Sequence, residues 1–332
     1  MRAIVVGATG FLGGYLLETL IKDGIEPVAL ARIGSDLRLI NQLGIEKRFF
    51  DLFDSNSLHE ALRGGEIVFN AAGKVDDWGD WKEFYRVNVC GTRNLLSAAI
   101  ANHVRRFVQV SSISAYGMRF FGSNTLREDT AYRPSLVGRD FYCKSKYLAE
   151  QEVLLANSEE KIEFVILRPG VILGERDSAI ARRILSIVQG HRKVFNVGRL
   201  EEKVQFSHAR DVARGIVLAG LHGPPNEVYN LSSPPEMTKS EFWATVLKVL
   251  GLQKEIVEIP YFPALLAGWM SEYMTLLSNS ARDPAVTLWS IYLMGSKNMI
   301  ESSKMRQLGW DPQEEQRESI ENAFKPYLMD CR

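Results

Sequence analysis

Short apolar runs alternate with stretches of helical periodicity through the first half of the chain. Runs rich in β-branched and aromatic residues, typical of buried strands, lie at residues 3–6, 28–31, 67–70, 107–110 and 164–167. Apolar residues at helical spacing lie between them, at residues 11–22, 57–62, 81–102 and 144–156. Strands that alternate with helices predict βαβ units. The predicted fold class is therefore α/β, with a doubly wound parallel sheet.

Beyond about residue 170 this alternation loosens. Helical patterns at 178–189 and 238–250, and the aromatic stretch 259–299, do not continue the βαβ repeat. We interpret them as a smaller, partly discontinuous C-terminal lobe. The predicted domains are a cofactor-binding domain at 1–170, with a returning strand near 204–232, and a substrate-binding lobe at 171–203 and 233–332.

A glycine-rich turn, GATGFLG, follows the first predicted strand and precedes a helix. Glycine lets the backbone approach a ligand closely, and the unpaired N–H groups of a helix start stabilise a phosphate. The spacing GxxGxxG differs from the GxGxxG fingerprint, and a tight turn alone would also use it. Its place at the start of an α/β chain favours dinucleotide binding. The predicted contacts are Gly7, Thr9, Gly10, Phe11, Leu12 and Gly13.

Residues after the second and third strands bear on which dinucleotide binds. An acid at the end of the second strand would bind the ribose 2′-OH of NAD, whereas arginine suits the 2′-phosphate of NADP. Arg32 follows the second strand, and no acid occurs before Asp36. This favours NADP(H) over NAD(H), unless Arg32 is only a solvated loop charge. Asp51, followed by Leu52, is positioned to accept a hydrogen bond from adenine or to cap the next helix.

A tyrosine and a lysine open the helix of residues 144–156. Tyr142 and Lys146 are four residues apart and therefore share a helix face. A cation beside tyrosine stabilises the phenolate and lowers its pKa, which prepares the group for proton transfer. Ser111 and Ser112 end the run 107–110, at the sheet edge where ligands bind. An exposed amphipathic helix would also contain YxxxK, but the serines favour a catalytic set.

Composition narrows the class of protein. Hydrophobic residues make up 46% and charged residues 24% of the chain, as in ordinary globular proteins. The 40 basic and 40 acidic residues give a formal net charge of +0, which argues against nucleic-acid binding. No apolar stretch reaches the length of about 18 residues that a membrane span needs. Scattered cysteines and histidines predict neither disulfides nor a metal site, and we expect a cytoplasmic protein.

Six segments together resemble the extended short-chain dehydrogenase/reductase family, in particular its epimerase, dehydratase and 3β-hydroxysteroid dehydrogenase-like group. They occur in the family's order: GATGFLG at Gly7, NAAG at Asn70, VNVCGTRNLLSAA at Val87, VSSISAYG at Val110, YCKSKYLAE at Tyr142 and LRPGVILG at Leu167. The second half of the chain resembles the family more weakly, through FSHARDVARG at Phe206 and KMRQLGWDP at Lys304.

The resemblance implies a Rossmann-type fold with NAD(P) at the sheet edge and a C-terminal lobe over the substrate. Tyr142 would be the catalytic acid/base, and Lys146 would bind the nicotinamide ribose. Ser112 would hold the reacting oxygen, and Asn88 would lie near the active site or serve only as a hydrogen-bonding helix residue. Further cofactor contacts implied by the resemblance are Ala71, Ala72, Gly73, Pro169, Gly170 and Val171.

Departures from the family patterns select among its reactions. Ser112 is followed by Ile113 rather than the Asp-Glu pair of sugar dehydratases, which argues against dehydration. The segment Lys74–Trp81, just after the fourth strand, resembles the hydroxysteroid dehydrogenase-like and β-keto or β-hydroxy acid reductase branch. We expect hydride transfer between the nicotinamide and a secondary alcohol or ketone of a largely apolar small molecule. A nucleotide-sugar 4-epimerase and a catalytically silent NAD(P)-sensing module are the alternatives.

The substrate side is less defined. The candidate residues are Lys74, Trp78, Ser112 and Tyr116. Trp78 would wall an apolar pocket or only anchor the next helix. The connection at 118–140 is long enough for a binding loop or lid. Residues 259–299 could form core, line a pocket or face a membrane peripherally, and the resemblance suggests a homodimer.

Overall fold

The structure is a computed structural model that describes residues 1–118, 123–135, 139–158, 162–177, 180–190, 192–278 and 283–328. Parts of the predicted lid, at 119–122 and 136–138, lie outside these described residues. The strands are β1 (Arg2–Val6), β2 (Glu26–Ala31), β3 (Glu46–Phe49), β4 (Ile67–Asn70), β5 (Arg106–Val110), β6 (Thr125–Leu126), β7 (Glu163–Pro169), β8 (Val171–Leu173), β9 (Lys193–Val197), β10 (Phe206–His208), β11 (Glu227–Leu231), β12 (Glu255–Ile259) and β13 (Met299–Ile300).

Helices connect most of these strands. They are α1 (Phe11–Lys22), α2 (Arg38–Gln42), α3 (Ser55–Leu62), α4 (Trp81–Phe84), α5 (Gly91–Ala101), α6 (Phe141–Ser158), α7 (Ile180–Gly190), α8 (Ala209–His222), α9 (Lys239–Val249), α10 (Tyr261–Leu277), α11 (Leu288–Gly295), α12 (Ser303–Gln307) and α13 (Gln316–Phe324). A π-helical segment spans Tyr85–Cys90, and 3₁₀ turns span Ile113–Tyr116 and Lys325–Tyr327.

The central sheet has seven parallel strands in the order β3-β2-β1-β4-β5-β7-β11. From β1 the chain adds β2 and β3 on one side of the sheet, and then adds β4, β5, β7 and β11 on the other side. The strand order therefore reverses between β1 and β4. Ligands of such sheets bind beyond the carboxyl ends of the strands at this reversal. The predicted doubly wound Rossmann-type fold is confirmed, and the segment Glu227–Leu231 is the strand that pairs with β7.

The sheet is buried on both faces, which explains why its strands are continuously apolar. Ala3 and Val5 pack against α1 and α8, whereas Ile4 and Val6 pack against α3 and α5 on the other face. A separate core lies in the C-terminal lobe, between α7, α9 and α13. In this core, Leu185 of α7 packs with Val246 of α9 and Ile320 of α13.

Helix α10 exposes much of its apolar surface. Its exposed side chains include Phe262, Leu266, Trp269, Met270, Tyr273, Met274, Leu276 and Leu277. Its other side packs on α11, where Gly268 lies against Leu288 and Ile291. Within the described residues, no helix combines the length and apolarity needed to cross a membrane. The segment 259–299 therefore divides into an exposed helix face and a buried helix.

Candidate active site

The glycine turn joins β1 to α1 and packs closely against the end of β4. Gly7 has a φ of +80°, and a Cβ there would lie 2.8 Å from the backbone of Ala71 and Ala72. A Cβ at Gly13 would lie 2.1 Å from the carbonyl oxygen of Gly7. A side chain at either glycine would clash with backbone atoms, which cannot move aside as the end of a flexible side chain can.

The first turn of α1 has free backbone donors. Gly10 is the N-cap and supplies no side-chain hydrogen bond, and Thr9 beside it is exposed. The amides of Phe11, Leu12 and Gly13 donate to no acceptor among the described residues. Unpaired amides at a helix start, reached across a turn without side chains, fit the pyrophosphate of a dinucleotide.

Two residues predicted to contact the adenosine half of the cofactor are accessible. Arg32 is exposed directly after β2 and forms no ion pair within the described part of the chain, whereas Arg38 is paired with Asp36. Asp51 is exposed and accepts a hydrogen bond from the Phe53 amide at 2.9 Å. It does not cap the next helix.

The cap of α3 is Asp54, which accepts hydrogen bonds from the amides of Asn56 and Ser57. Leu52 packs against α5, since a Cβ at Gly91 would lie 2.5 Å from its Cδ2. These contacts keep the segment after β3 in place and leave the Asp51 side chain at the surface.

Ser112, Tyr142 and Lys146 meet at the end of β5. The hydroxyl of Ser112 lies close enough to the phenol of Tyr142 to favour its ionised form. The ammonium of Lys146 donates to the carbonyl oxygen of Val110 at 3.1 Å. Tyr142 and Lys146 are 7% and 5% exposed, so helix α6 buries both against the strand end. The structure thus brings the three predicted catalytic residues together.

One electrostatic expectation is wrong. We expected Lys146 to lower the pKa of Tyr142, but burial raises the pKa of Tyr142, and the neighbouring Ser112 hydroxyl only partly offsets this. Burial lowers the pKa of Lys146 to about 8. Near neutral pH, Tyr142 is therefore a protonated phenol and Lys146 remains mostly cationic.

Asn88 lies in the π-helical segment and links the loop after β4 to α6. Its side chain bonds both backbone groups of Lys74, with Oδ1 at 2.7 Å from the amide and Nδ2 at 3.0 Å from the carbonyl oxygen. Nδ2 also donates to Ser145 Oγ at 2.8 Å, and Ser145 donates to the carbonyl oxygen of Tyr142. Asn88 therefore positions Gly73 and Tyr142 relative to one another.

The π-helical segment was not predictable from the sequence, because residues 81–102 have one continuous helical pattern. In the structure this pattern is interrupted at Tyr85–Cys90, between α4 and α5. π-Helical segments inside α-helices are frequent at functional sites. Here the segment contains Asn88, whose buried side chain makes the contacts described above.

A small cavity adjoins Tyr142. Its apolar walls include Trp78, Phe84, Phe141 and Trp289. Trp289 of α11 meets the Tyr142 ring edge to face, with the ring centroids 6.2 Å apart. The position of Trp78 agrees with the predicted apolar pocket wall. Trp289 was not among the predicted site residues, because only the fold brings α11 to this cavity.

Other predicted residues have different surroundings. Tyr116 is fully buried, and its hydroxyl donates to Asn230 Oδ1 at 2.6 Å, so the prediction that Tyr116 contacts substrate is wrong. The ammonium of Lys74 is paired with Asp76 and Glu83. The backbone at Pro169, Gly170 and Val171 joins β7 to β8, and a Cβ at Gly170 would lie 2.7 Å from Ser232 Oγ.

Asp77 connects three segments around the cavity. Its side chain is 3% exposed and forms an ion pair with Arg183 of α7. It also accepts a hydrogen bond from Thr287 Oγ1 at 2.5 Å, and Thr287 is the N-cap of α11. Asp77 thereby ties the loop after β4 to the two helices of the C-terminal lobe that flank the site.

We predict that Asp77→Ala lowers the free energy of unfolding by about 2 kcal/mol, because it leaves Arg183 and Thr287 without their buried partner. Urea denaturation measures this. Glu152→Ala, which breaks the more exposed Arg93–Glu152 pair, is the matched control and should cost about 0–1 kcal/mol. Equal losses in the two variants would show that Asp77 does not stabilise the joint between the lobes.

Comparison with known proteins identifies the family. Residues 3–232 match the NAD dependent epimerase/dehydratase family. The chain belongs to this family. The resemblance to extended short-chain dehydrogenases/reductases is thus confirmed, with NAD as the cofactor that the family name specifies.

Proteins with similar sequences include reductases and dehydrogenases. The chain is 30% identical over 315 residues to 4-hydroxy-2-methyl-3-oxo-4-farnesyl-3,4-dihydroquinoline-1-oxide ketoreductase of Stigmatella aurantiaca, covering 93% of this chain and 92% of that protein. It is 28% identical to 2-alkyl-3-oxoalkanoate reductase of Shewanella oneidensis, covering 92% of this chain and 81% of that protein.

A solved structure agrees over nearly the whole chain. The crystal structure of gox2253 has 28% sequence identity and a TM-score of 0.80, and the match covers 99% of this chain and 98% of that one. This structure supports the fold, and the names of the sequence relatives support the class of reaction. This epimerase/dehydratase family member is a hydride-transferring oxidoreductase.

Proposed function

We propose that the protein uses NADP(H) to interconvert a secondary alcohol and a ketone in a largely apolar substrate. This proposal rests on one observation: the side chains of Ser112, Tyr142 and Lys146 lie together at the carboxyl edge of the sheet. In reduction, the nicotinamide would supply a hydride to the carbonyl carbon. Tyr142 would donate its phenolic proton to the carbonyl oxygen, so that the C=O double bond becomes a C–H and an O–H bond.

The protonation state of Tyr142 supports this role. A tyrosine phenol is protonated near neutral pH, which is the form that donates a proton to a ketone oxygen; the burial that raises the pKa of Tyr142 makes it a weaker acid. Ser112, whose hydroxyl lies beside the same phenol, would orient the ketone oxygen. A Cβ at Gly73 would lie 3.4 Å from Lys146 Nζ, so the ammonium borders the crevice beyond β4, where it would bind the nicotinamide ribose.

The remaining cofactor contacts follow from the crevice between β1 and β4. The amides of the first turn of α1 would bind the pyrophosphate, and Asp51 would accept a hydrogen bond from adenine. Ala71, Ala72 and Gly73 leave β4 beside the glycine turn, which supports their contact with the cofactor. Pro169, Gly170 and Val171 would face the nicotinamide amide.

The NADP(H) preference rests on Arg32, which has no competing ion pair within the described residues. We predict that Arg32→Ala raises the KM for NADPH about 10- to 100-fold and leaves the KM for NADH nearly unchanged, because a hydrogen bond to a charged group is worth about 1.5–3 kcal/mol. Initial rates with each cofactor measure this. Arg38→Ala is the matched control, and an equal effect of Arg32→Ala on both cofactors would contradict the preference.

The apolar walls beside Tyr142 support an apolar substrate. The two relatives named above reduce ketones in alkyl-bearing molecules by name. Turnover of 2-alkyl-3-oxoalkanoates, 3-ketosteroids and UDP-sugars, each with NADPH, tests the substrate class. Activity on UDP-sugars without net cofactor consumption would favour the 4-epimerase alternative, and no activity on any panel member would oppose the proposal.

The partner predictions from the sequence stay predictions. A homodimer and a peripheral membrane contact would both use an exposed apolar surface, and the exposed face of α10 is such a surface. The cytoplasmic location likewise stays a prediction.

A further inference from the structure

Arg139 lies at the cavity beside Tyr142, two positions before α6 begins. Its guanidinium carbon is 4.9 Å from the ring centroid of Trp78 and 4.6 Å from that of Phe141. Both rings line the same cavity. Aromatic faces attract a guanidinium and restrict its position, so Arg139 is held against the cavity wall.

The hydrogen-bonding capacity of Arg139 is mostly unused. A guanidinium has five N–H donors. Among the described contacts of the side chain, Nη2 donates to the carbonyl oxygen of Gly79 at 3.3 Å. Nε is buried and has no hydrogen-bond partner within the part of the chain that the structure describes. Such a donor loses its hydration without compensation, and an unsatisfied buried group in a native structure is often explained by a ligand.

The nearby carboxylates have other partners. Asp77 is engaged by Arg183 and Thr287. Asp140, which also lines the cavity, accepts a hydrogen bond from the Ser135 amide at 3.0 Å.

Glu272 of α10 is close enough to Arg139 to feel its charge, but its carboxylate accepts a hydrogen bond from the Leu288 amide at 2.7 Å. Within the described residues, none of these acids forms an ion pair with the guanidinium. The unused donor of Arg139 is therefore left for a group that enters the cavity.

We propose that Arg139 binds a carboxylate of the substrate. The carboxylate would lie a few bonds from the reacting carbon, because Arg139 and Tyr142 line one small cavity. The substrate class is then a β-keto or β-hydroxy acid with an apolar remainder, which would contact Trp78 and Trp289. This proposal rests on the proposed function, since it takes Tyr142 as the proton donor that fixes the position of the reacting oxygen.

The planar fork of arginine matches a carboxylate, with Nε and one Nη each donating to one oxygen. An ester has the same shape and alkyl content but no negative charge. A matched acid and ester therefore separate recognition of the charge from recognition of the apolar part.

The test compares a 2-alkyl-3-hydroxydecanoate with its methyl ester, by isothermal titration calorimetry in the presence of NADP⁺ and by initial rates of oxidation. Wild-type protein should bind the acid about 10- to 100-fold more tightly than the ester. Arg139→Gln should weaken acid binding by the same factor and change ester binding by no more than about twofold. Arg139→Lys, which keeps the charge but not the fork, should retain part of the preference.

A control variant removes a neighbouring charge. Lys144→Gln deletes an exposed cation that lies 4.8 Å from the Trp81 ring centroid, on the same helix but outside the cavity lining. It should keep the wild-type preference for the acid. A wild-type protein that binds acid and ester equally, or an Arg139→Gln variant that weakens both equally, would overturn the proposal.

Tyr142→Phe separates this proposal from the proposed function. That variant should keep the preference of binding for the acid and lose turnover. If Tyr142→Phe oxidises the acid at the wild-type rate, the proposed function fails, while the binding comparison still decides the role of Arg139. If turnover is lost as expected but Arg139→Gln keeps full acid preference, the role of Arg139 fails and the proposed function stands.

Discussion

Phenylalanine in place of Tyr142 should reduce kcat by about 10³-fold and leave the affinity for NADP(H) nearly unchanged. General acid-base catalysis by a positioned side chain contributes about 10²- to 10⁴-fold, and this variant removes the group that exchanges the proton. The ring remains, so its edge-to-face contact with Trp289 is kept. Steady-state kinetics measures the rate, and a fluorescence titration of NADPH measures cofactor binding.

Tyr147→Phe is the matched control for this prediction. Tyr147 lies on the same helix, but its ring stacks on Tyr132, with the centroids 4.2 Å apart. It contributes no atom to the lining of the cavity beside Tyr142. The control should therefore keep wild-type kcat. A Tyr142→Phe variant with more than about a tenth of the wild-type rate would eliminate Tyr142 as the acid/base.

Alanine in place of Gly13 should weaken cofactor binding about 10- to 100-fold and destabilise the fold by about 1–3 kcal/mol. The new Cβ would lie 2.1 Å from the carbonyl oxygen of Gly7, so the helix start and the turn cannot keep their present spacing. A shift of α1 moves the amides that would bind the pyrophosphate. Calorimetric titration with NADP⁺ and urea denaturation measure the two effects.

The neighbouring glycine supplies the control. A Cβ at Gly14 would lie 2.7 Å from Cδ2 of Leu39, the end of a flexible side chain that can turn away. Gly14→Ala should therefore bind NADP⁺ within about threefold of wild type. If Gly13→Ala binds as tightly as Gly14→Ala, the turn does not set the position of a cofactor.

Much of the fold was predictable because its signals are local. The run at residues 3–6 predicted a buried strand because both sheet faces cover it, with Ala3 and Ile4 in different cores. The proximity of Ser112 and Tyr142 was predictable because Ser112 follows β5, and the helix that leads back to the next parallel strand, β7, begins at the same edge of the sheet. The glycine turn was predictable because a strand, a turn and a helix follow each other directly in the sequence.

The remaining features depend on contacts between segments that are distant in sequence. The ion pair of Asp77 with Arg183 and the contact of Trp289 with Tyr142 exist only once the C-terminal lobe has packed. The pKa of Tyr142 was mispredicted for the same reason. Helix spacing indicates the neighbour Lys146, but burial by the surrounding elements decides the direction of the shift.

The central claim is net hydride transfer from cofactor to substrate, and isotope transfer tests it most directly. Wild-type protein is incubated with a 2-alkyl-3-oxoalkanoate and NADPH that carries deuterium at both C4 positions, and the product is analysed by mass spectrometry. We predict that the hydroxy acid gains one deuterium at the carbinol carbon as one NADP⁺ forms per product. A rearranged or unlabelled product without net cofactor consumption would contradict the account.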